Sequence, residues 1–276
     1  MYTSVWKNHH KSVCSFEFYS KRGILFYRAT GFRYKDYIVT DICSEEMRRA
    51  VRLVLRFCPD SSTEPVMFKE LNTVDLRKLI AGELKNRYSG IKLIRVPPGR
   101  TAPVPLAAPV VPAAVVTGTQ VAIIGYSRRM NKPYLKAGIV SSHNIIGGDE
   151  YMHIEAPFEP GNAGSPVIDL STGNIVGVVT DCLSSQLRDY RVLKSIIKEN
   201  IRTLSKLNGS FNDGRTDFAQ AIKANQYMAM NLARDIHLGC HRSYGFAAPF
   251  IRIARYVKAI GHEIQISVNT SVQEGY

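Results

Sequence analysis

The residues best suited to chemistry form one short turn, Pro160-Gly161-Asn162-Ala163-Gly164-Ser165-Pro166-Val167. Its glycines let the backbone bend sharply and present successive N–H groups, an arrangement that can hold an oxygen gaining negative charge. The central residue, Ala163, offers neither hydroxyl nor thiol and so cannot carry an acyl group. Ser165 stands two positions on, in a slot that packing explains. His153 precedes the turn on a strand and could touch a bound peptide together with Glu155. His9 and His10 precede the first strand and read as tail residues. His143, His241 and His262 sit at element ends. The five cysteines, Cys14, Cys43, Cys58, Cys182 and Cys240, are odd in number and hold no CxxC pair. They read as buried thiols in a reducing compartment rather than as a disulfide framework. No His/Cys cluster has zinc spacing, so neither metal nor cofactor is expected.

Charge is the second chemical signal. The net charge is +13. The basic excess lies in the first and last thirds of the chain, and the middle is near neutral. Such a field favours an anionic partner. SEEMRRAVRLVLRF, KNRYSGIKLIR and SRRMNK are basic stretches. At helical spacing, Arg191, Lys194, Lys198 and Arg202 fall on roughly one face with Tyr190 nearby. That stripe suits a phosphate backbone, although a solvated helix face has the same pattern. No base-reading motif accompanies it.

These residues need elements to hold them. Val5 to Val39 reads as short strands, with Gly23 and Gly31 at turns. SEEMRRAVRLVLRF has helical spacing, its VRLVLRF part fits an alternating strand equally well, and DLRKLIAGELKNRY is ambiguous. GIKLIRV is a strand. Residues 97–118 hold six prolines and few charges, the composition of an extended linker. TQVAIIGYS, AGIVSSH, EYMHIEAPF, SPVIDL and NIVGVVTDC return to strand character. DYRVLKSIIKENIRTLSKL and TDFAQAIKANQYMAMNLARDIHL have helical periods, the second capped by Thr216 or Asp217. SYGFAAPF is a strand, and IRIARYVKAIGHEI a basic amphipathic helix. No apolar run reaches the ~18 residues that span a bilayer, and MYTSVWKNHHK lacks an apolar signal core. A soluble, intracellular chain without membrane contact is expected.

Several of these stretches together resemble the trypsin/HtrA family. PGNAGSP is similar to its nucleophile loop, G-[DN]-S-G-[GS]-P. GYSRRMNKPYLKAGIVSS, YMHIEAPFEPGNAGSPVID and GFAAP resemble second-barrel segments of HtrA proteins. ATGFRYKDYIVTDIC and GIKLIRV resemble the first-barrel segments that carry the base and the carboxylate. The likeness covers 5–182 and 243–262. It implies a mainly β, chymotrypsin-like double antiparallel β-barrel of two six-stranded barrels, with a helical insertion and a C-terminal helix. The divisions would be 1–98 for the first barrel, 99–118 for the linker, 119–182 with 243–276 for the second barrel, and 183–242 for the insertion.

Carried over by position, the resemblance puts the general base at Cys43, the orienting carboxylate at Gly90 and the nucleophile at Ala163. Asp75 is an alternative for the carboxylate. None of the three residues can perform the role, so the expectation is a pseudoprotease that is not an enzyme. Gly161, Asn162 and Ala163 would keep an oxyanion loop. The strand Tyr151–Pro157 would accept a peptide by edge addition, with His153, Glu155 and Ser165 lining the groove. The partner would be a protein or an extended peptide, with nucleic acid on the basic face as an alternative within a ribonucleoprotein. A further alternative is a trypsin-like protease, of viral polyprotein type, inactivated by substitution at Ala163. The oligomeric state does not follow from the sequence.

Overall fold

The computed structural model describes residues 1–42, 44–58, 66–85, 90–96, 115–180, 185–207, 217–239 and 242–260. It forms two compact units, one of Met1–Leu183 with Arg242–Tyr276, the other of Ser184–His241. Cys43 and most of the proline-rich segment lie outside the described residues.

The first half of the larger unit is a seven-stranded antiparallel sheet. Its strands are β1 (Val13–Tyr19), β2 (Leu25–Tyr34), β3 (Tyr37–Asp41), β4 (Arg52–Phe57), β5 (Val66–Leu71), β6 (Ile80–Lys85) and β7 (Gly90–Arg95), in the order β5-β4-β1-β2-β3-β7-β6. Six strands were expected. The seventh arises because the ambiguous stretch 73–85 divides into a short helix, α3 (Thr73–Leu79), and strand β6, which pairs with β7. SEEMRRAVRLVLRF likewise divides, into α2 (Ser44–Arg49) and β4, so both of its periodicities are used.

The second half is a closed six-stranded barrel, as expected. β8 (Gln120–Gly125), β9 (Tyr134–Ile146), β10 (Asp149–Phe158), β11 (Pro166–Asp169), β12 (Ile175–Thr180) and β13 (Arg242–Pro249) run β10-β13-β12-β11-β8-β9 and close. Residues 250–260 continue from β13 as a helix. One core joins the two halves. Phe32, Tyr34 and Val39 of the sheet pack with Ile124, Tyr126, Ile168 and Val178 of the barrel, and Phe250 lies against Phe32 and Tyr34.

The N-terminus is not a tail. Tyr2–His9 forms a helix, α1, and both His9 and His10 are buried. His9 Nε2–H donates to Gly173 O (3.0 Å), while its Nδ1 is buried without a partner. His10 Nδ1–H donates to Trp6 O and stacks on the Trp6 ring. Burial lowers the His9 pKa below 6.5, partly offset by the bond to Gly173. The folded chain therefore binds the proton less well than the unfolded chain. The stability that His9 contributes is complete above pH 6.5 and is lost as pH falls from there toward the folded-state value. Thermal melts over that range should show a falling midpoint whose slope flattens in His9→Gln. An unchanged slope would reject this.

Candidate active site

The turn from Glu159 to Ser165 leaves β10 and enters β11, and its shape is set mostly from outside itself. Thr30 of β2 holds it at two carbonyls and ties it to Tyr126. Thr30 N–H donates to Ala163 O (2.8 Å), its Oγ1 donates to Gly161 O (2.7 Å), and the same Oγ1 accepts from Tyr126 N–H (2.9 Å). Thr40 Oγ1 in turn donates to Thr30 O (2.6 Å). Gly164 N–H donates to Val179 O (2.8 Å). Gly161 (φ +109°) and Gly164 (φ +84°) have left-handed backbones. A Cβ at Gly164 would lie 2.0 Å from Thr30 O, so only glycine fits.

Asn162 ties the turn from beneath. Its Oδ1 accepts from Glu159 N–H and from Lys136 Nζ (both 2.8 Å), and its Nδ2 donates to Tyr126 O (3.0 Å) and Tyr134 OH (3.2 Å). Burial pushes the Lys136 ammonium below the usual lysine range, against the opposing pull of Glu159. Burial raises the Tyr134 phenol. With these bonds made, the N–H groups of Gly161 and Ala163 hold no backbone partner among the described residues. Two donors beside a buried methyl group are what remain to meet a carbonyl oxygen.

A second support reaches the neighbouring turn. Glu17 of β1 accepts from Arg28 Nη2 (2.9 Å), Arg56 Nε (3.1 Å) and Tyr19 OH (2.7 Å), and Glu17 and Arg28 are both buried. Arg28 Nη1 also donates to Ser127 O (2.8 Å) and Met130 O. The backbone at 126–128 lies directly against Gly161.

The structure brings Gly90 and the end of β3 to this region. Gly90 opens β7, as expected, and its N–H donates to Asp41 Oδ1 (2.9 Å). A Cβ there would stand 3.4 Å from Lys92 Nζ and 3.7 Å from Asp41 Oδ1. Lys92, almost fully buried, donates to Ile42 O, Gly90 O and Glu83 Oε1. A Cβ at Gly164 would lie 2.7 Å from Asp41 N, so the glycine turn packs on β3. Asp41 and Lys92 are buried polar groups that the sequence reading missed. Their signal is a charged residue set among apolar ones, at the end of YIVTD and at the second position of IKLIR. Asp75 is elsewhere, on α3, half-buried and 3.8 Å from Lys78.

The expected peptide groove does not assemble. β10 pairs with β9 along one edge and with β13 along the other, so the barrel leaves it no edge for strand addition. His153 sits on the outer surface with Nδ1 2.7 Å from Ser141 Oγ, packed on Tyr244 and Phe246. Glu155 is exposed beside it, whereas Ser165 is buried with an unpartnered Oγ. Strand pairing across a barrel is non-local, which is why the sequence did not reveal that this strand is interior.

Lys194, Lys198 and Arg202 are exposed on α4 (Ser185–Lys206); the Arg191 side chain lies outside the described residues. Lys194 stands over the Tyr190 ring and Arg202 pairs with Glu199. Among the described residues no group of three metal-ligating side chains occurs, and no helix is long and apolar enough to cross a membrane.

Residues 54–178 match the family described as Trypsin-like peptidase domain. Among solved structures, the HtrA-type protease AlgW with tripeptide is 13% identical, with a TM-score of 0.48 over 65% of this chain and 54% of that one. The inactive form of the Rv3671c protease is 19% identical, with a TM-score of 0.44 over 64% and 79%; Rv3671c comes from M. tuberculosis H37Rv. The chain thus spans about half the length of AlgW. No curated protein matches the sequence. The family match corrects one expectation. Residues 54–178 match a family of peptidases, which is catalytic, so the expectation that the chain is not an enzyme does not hold. The chain is a trypsin-like protein of the chymotrypsin-like fold.

Proposed function

We propose that this chain holds an extended polypeptide against the turn at 159–165, one carbonyl oxygen accepting from the N–H groups of Gly161 and Ala163. One observation carries the reading: the carbonyls of Gly161 and Ala163 and the Asn162 side chain are bonded, while the two N–H donors hold no partner among the described residues. Such a preorganised pair costs no reorganisation when an oxygen arrives. The resemblance of PGNAGSP to the nucleophile loop assigns Ala163 the attacking position, so a larger side chain there should block the carbonyl.

The test uses fluorescent unfolded casein, with anisotropy for binding and gel analysis of the same samples for cleavage. Saturable binding is expected, and Ala163→Leu should weaken it at least about tenfold. Absence of binding by the unaltered chain, or equal binding by a folded Ala163→Leu, would overturn the proposal. Fragments that appear with the unaltered chain would assign peptidase activity directly, as the family match favours.

The exposed cations of α4 favour a second contact, with nucleic acid. Titration of single-stranded RNA at two salt concentrations should then give a log–log slope of roughly −2 to −3, for three or four phosphate contacts. A flat response rejects it.

A further inference from the structure

α5 (Phe218–Gly239) packs on α4 through a face that includes Ala219, Gln226, Met230 and Ala233, with Gln226 Oε1 accepting from Asn200 Nδ2 (3.4 Å). Asp217 caps its start, accepting from Gln220 N–H. Beside that face runs a second line: Phe218, Ile222, Asn225, Ala229, Leu232 and Ile236. The steps alternate four and three, which is the spacing of a coiled-coil seam. The whole line is exposed, with Phe218 at 50%, Ile222 at 47%, Leu232 at 63% and Ile236 at 60%. The helix therefore leaves outside a seam bulkier than the one it buries.

The order of side chains along this line shows what can cover it. Reversed about the level of Tyr227, the line maps onto itself. Phe218 falls opposite Ile236, Ile222 opposite Leu232, and Asn225 opposite Ala229, so large meets large at the ends and small meets polar at the centre. Self-complementarity of this kind is what a two-fold interface requires. Charge agrees. The charged residues of α5 up to Ile236 are Lys223, Arg234 and Asp235, and none is on the line. In the reversed pairing they fall opposite Asn231, Gln220 and Ala219, so no like charges meet. In a chain of net charge +13 this is a surface where two copies can approach without facing cations. An anionic bilayer fits less well, because Lys223 and Arg234 point away from the line, not along its borders.

We propose that α5 is a homodimerisation helix, on which a second copy of the chain lays its own α5 antiparallel about a two-fold axis level with Tyr227. The contact is small, so a dimer should predominate at roughly 50 μM rather than at nanomolar concentration. Sedimentation velocity on the full chain tests it. Ile222→Glu and Leu232→Lys should each weaken association at least about 100-fold. The two substitutions combined in one chain should recover at least about tenfold of that loss, because in antiparallel register the new carboxylate of one copy meets the new ammonium of the other. They are too far apart along one helix to meet within a chain. Tyr227→Glu, exposed on the opposite side of α5, should leave the dimer intact, and far-UV circular dichroism checks that every variant keeps its helices. A monomeric unaltered chain, a dimer that survives both single substitutions, dissociation by Tyr227→Glu, or a double variant no better than the singles would each overturn the proposal.

Discussion

Gly164→Ala should lower the stability of the larger unit by about 3–4 kcal/mol, or roughly 10 °C in melting temperature. Two terms combine. A residue with a Cβ must adopt φ +84°, and that Cβ would lie 2.0 Å from Thr30 O and 2.7 Å from Asp41 N. Both of those atoms are backbone, so no side chain can swing aside. Relief requires the turn to leave β2, which breaks the Thr30–Ala163 bond and swings the donors of Gly161 and Ala163 out of line. Polypeptide binding should therefore fall with stability. Thermal melting and casein anisotropy on the same preparation check both, and a loss below about 1 kcal/mol would show that the turn relaxes without cost.

Glu17→Ala should cost about 3–5 kcal/mol, because it strands the buried Arg28 guanidinium and removes the acceptor of Arg56 and Tyr19. The attraction within the trio matters less here than the desolvation left uncompensated when one member goes. The effect should reach the neighbouring turn, because Arg28 also holds the carbonyls of Ser127 and Met130. Denaturant unfolding measures the loss. The companion variant Arg56→Lys keeps a cation at the half-exposed edge of the network and should cost far less. Equal losses in the two variants would point to packing rather than charge.

Parts of the chain announced themselves through local physics. The glycine turn was legible because only glycine supplies its backbone angles, and the two long helices because their apolar spacing has a 3.6-residue period. Asp217 was legible as a cap for the same local reason. What the sequence hid was pairing. The seventh strand of the first sheet lay inside a stretch whose helical and strand patterns compete, and tertiary contacts with β7 decided it. The interior position of β10 depends on β13, nearly a hundred residues later in the chain. Asp41 and Lys92 were passed over because a charged residue in a strand usually faces water, and here β3, β6 and β7 surround them. His9 and His10 looked like a tail because a helix of about two turns and mixed polarity has little periodicity to read.

Thr30 Oγ1 and the Gly161 carbonyl are 131 positions apart in the chain. Synthesis delivers the threonine long before the glycine, so a nascent chain holds the clamp without anything to grip. The two donors take up their places only after the barrel has closed and docked on the sheet. A molecule that recognises them would thus discriminate mature protein from every incomplete intermediate, with a single hydroxyl acting as the gatekeeper.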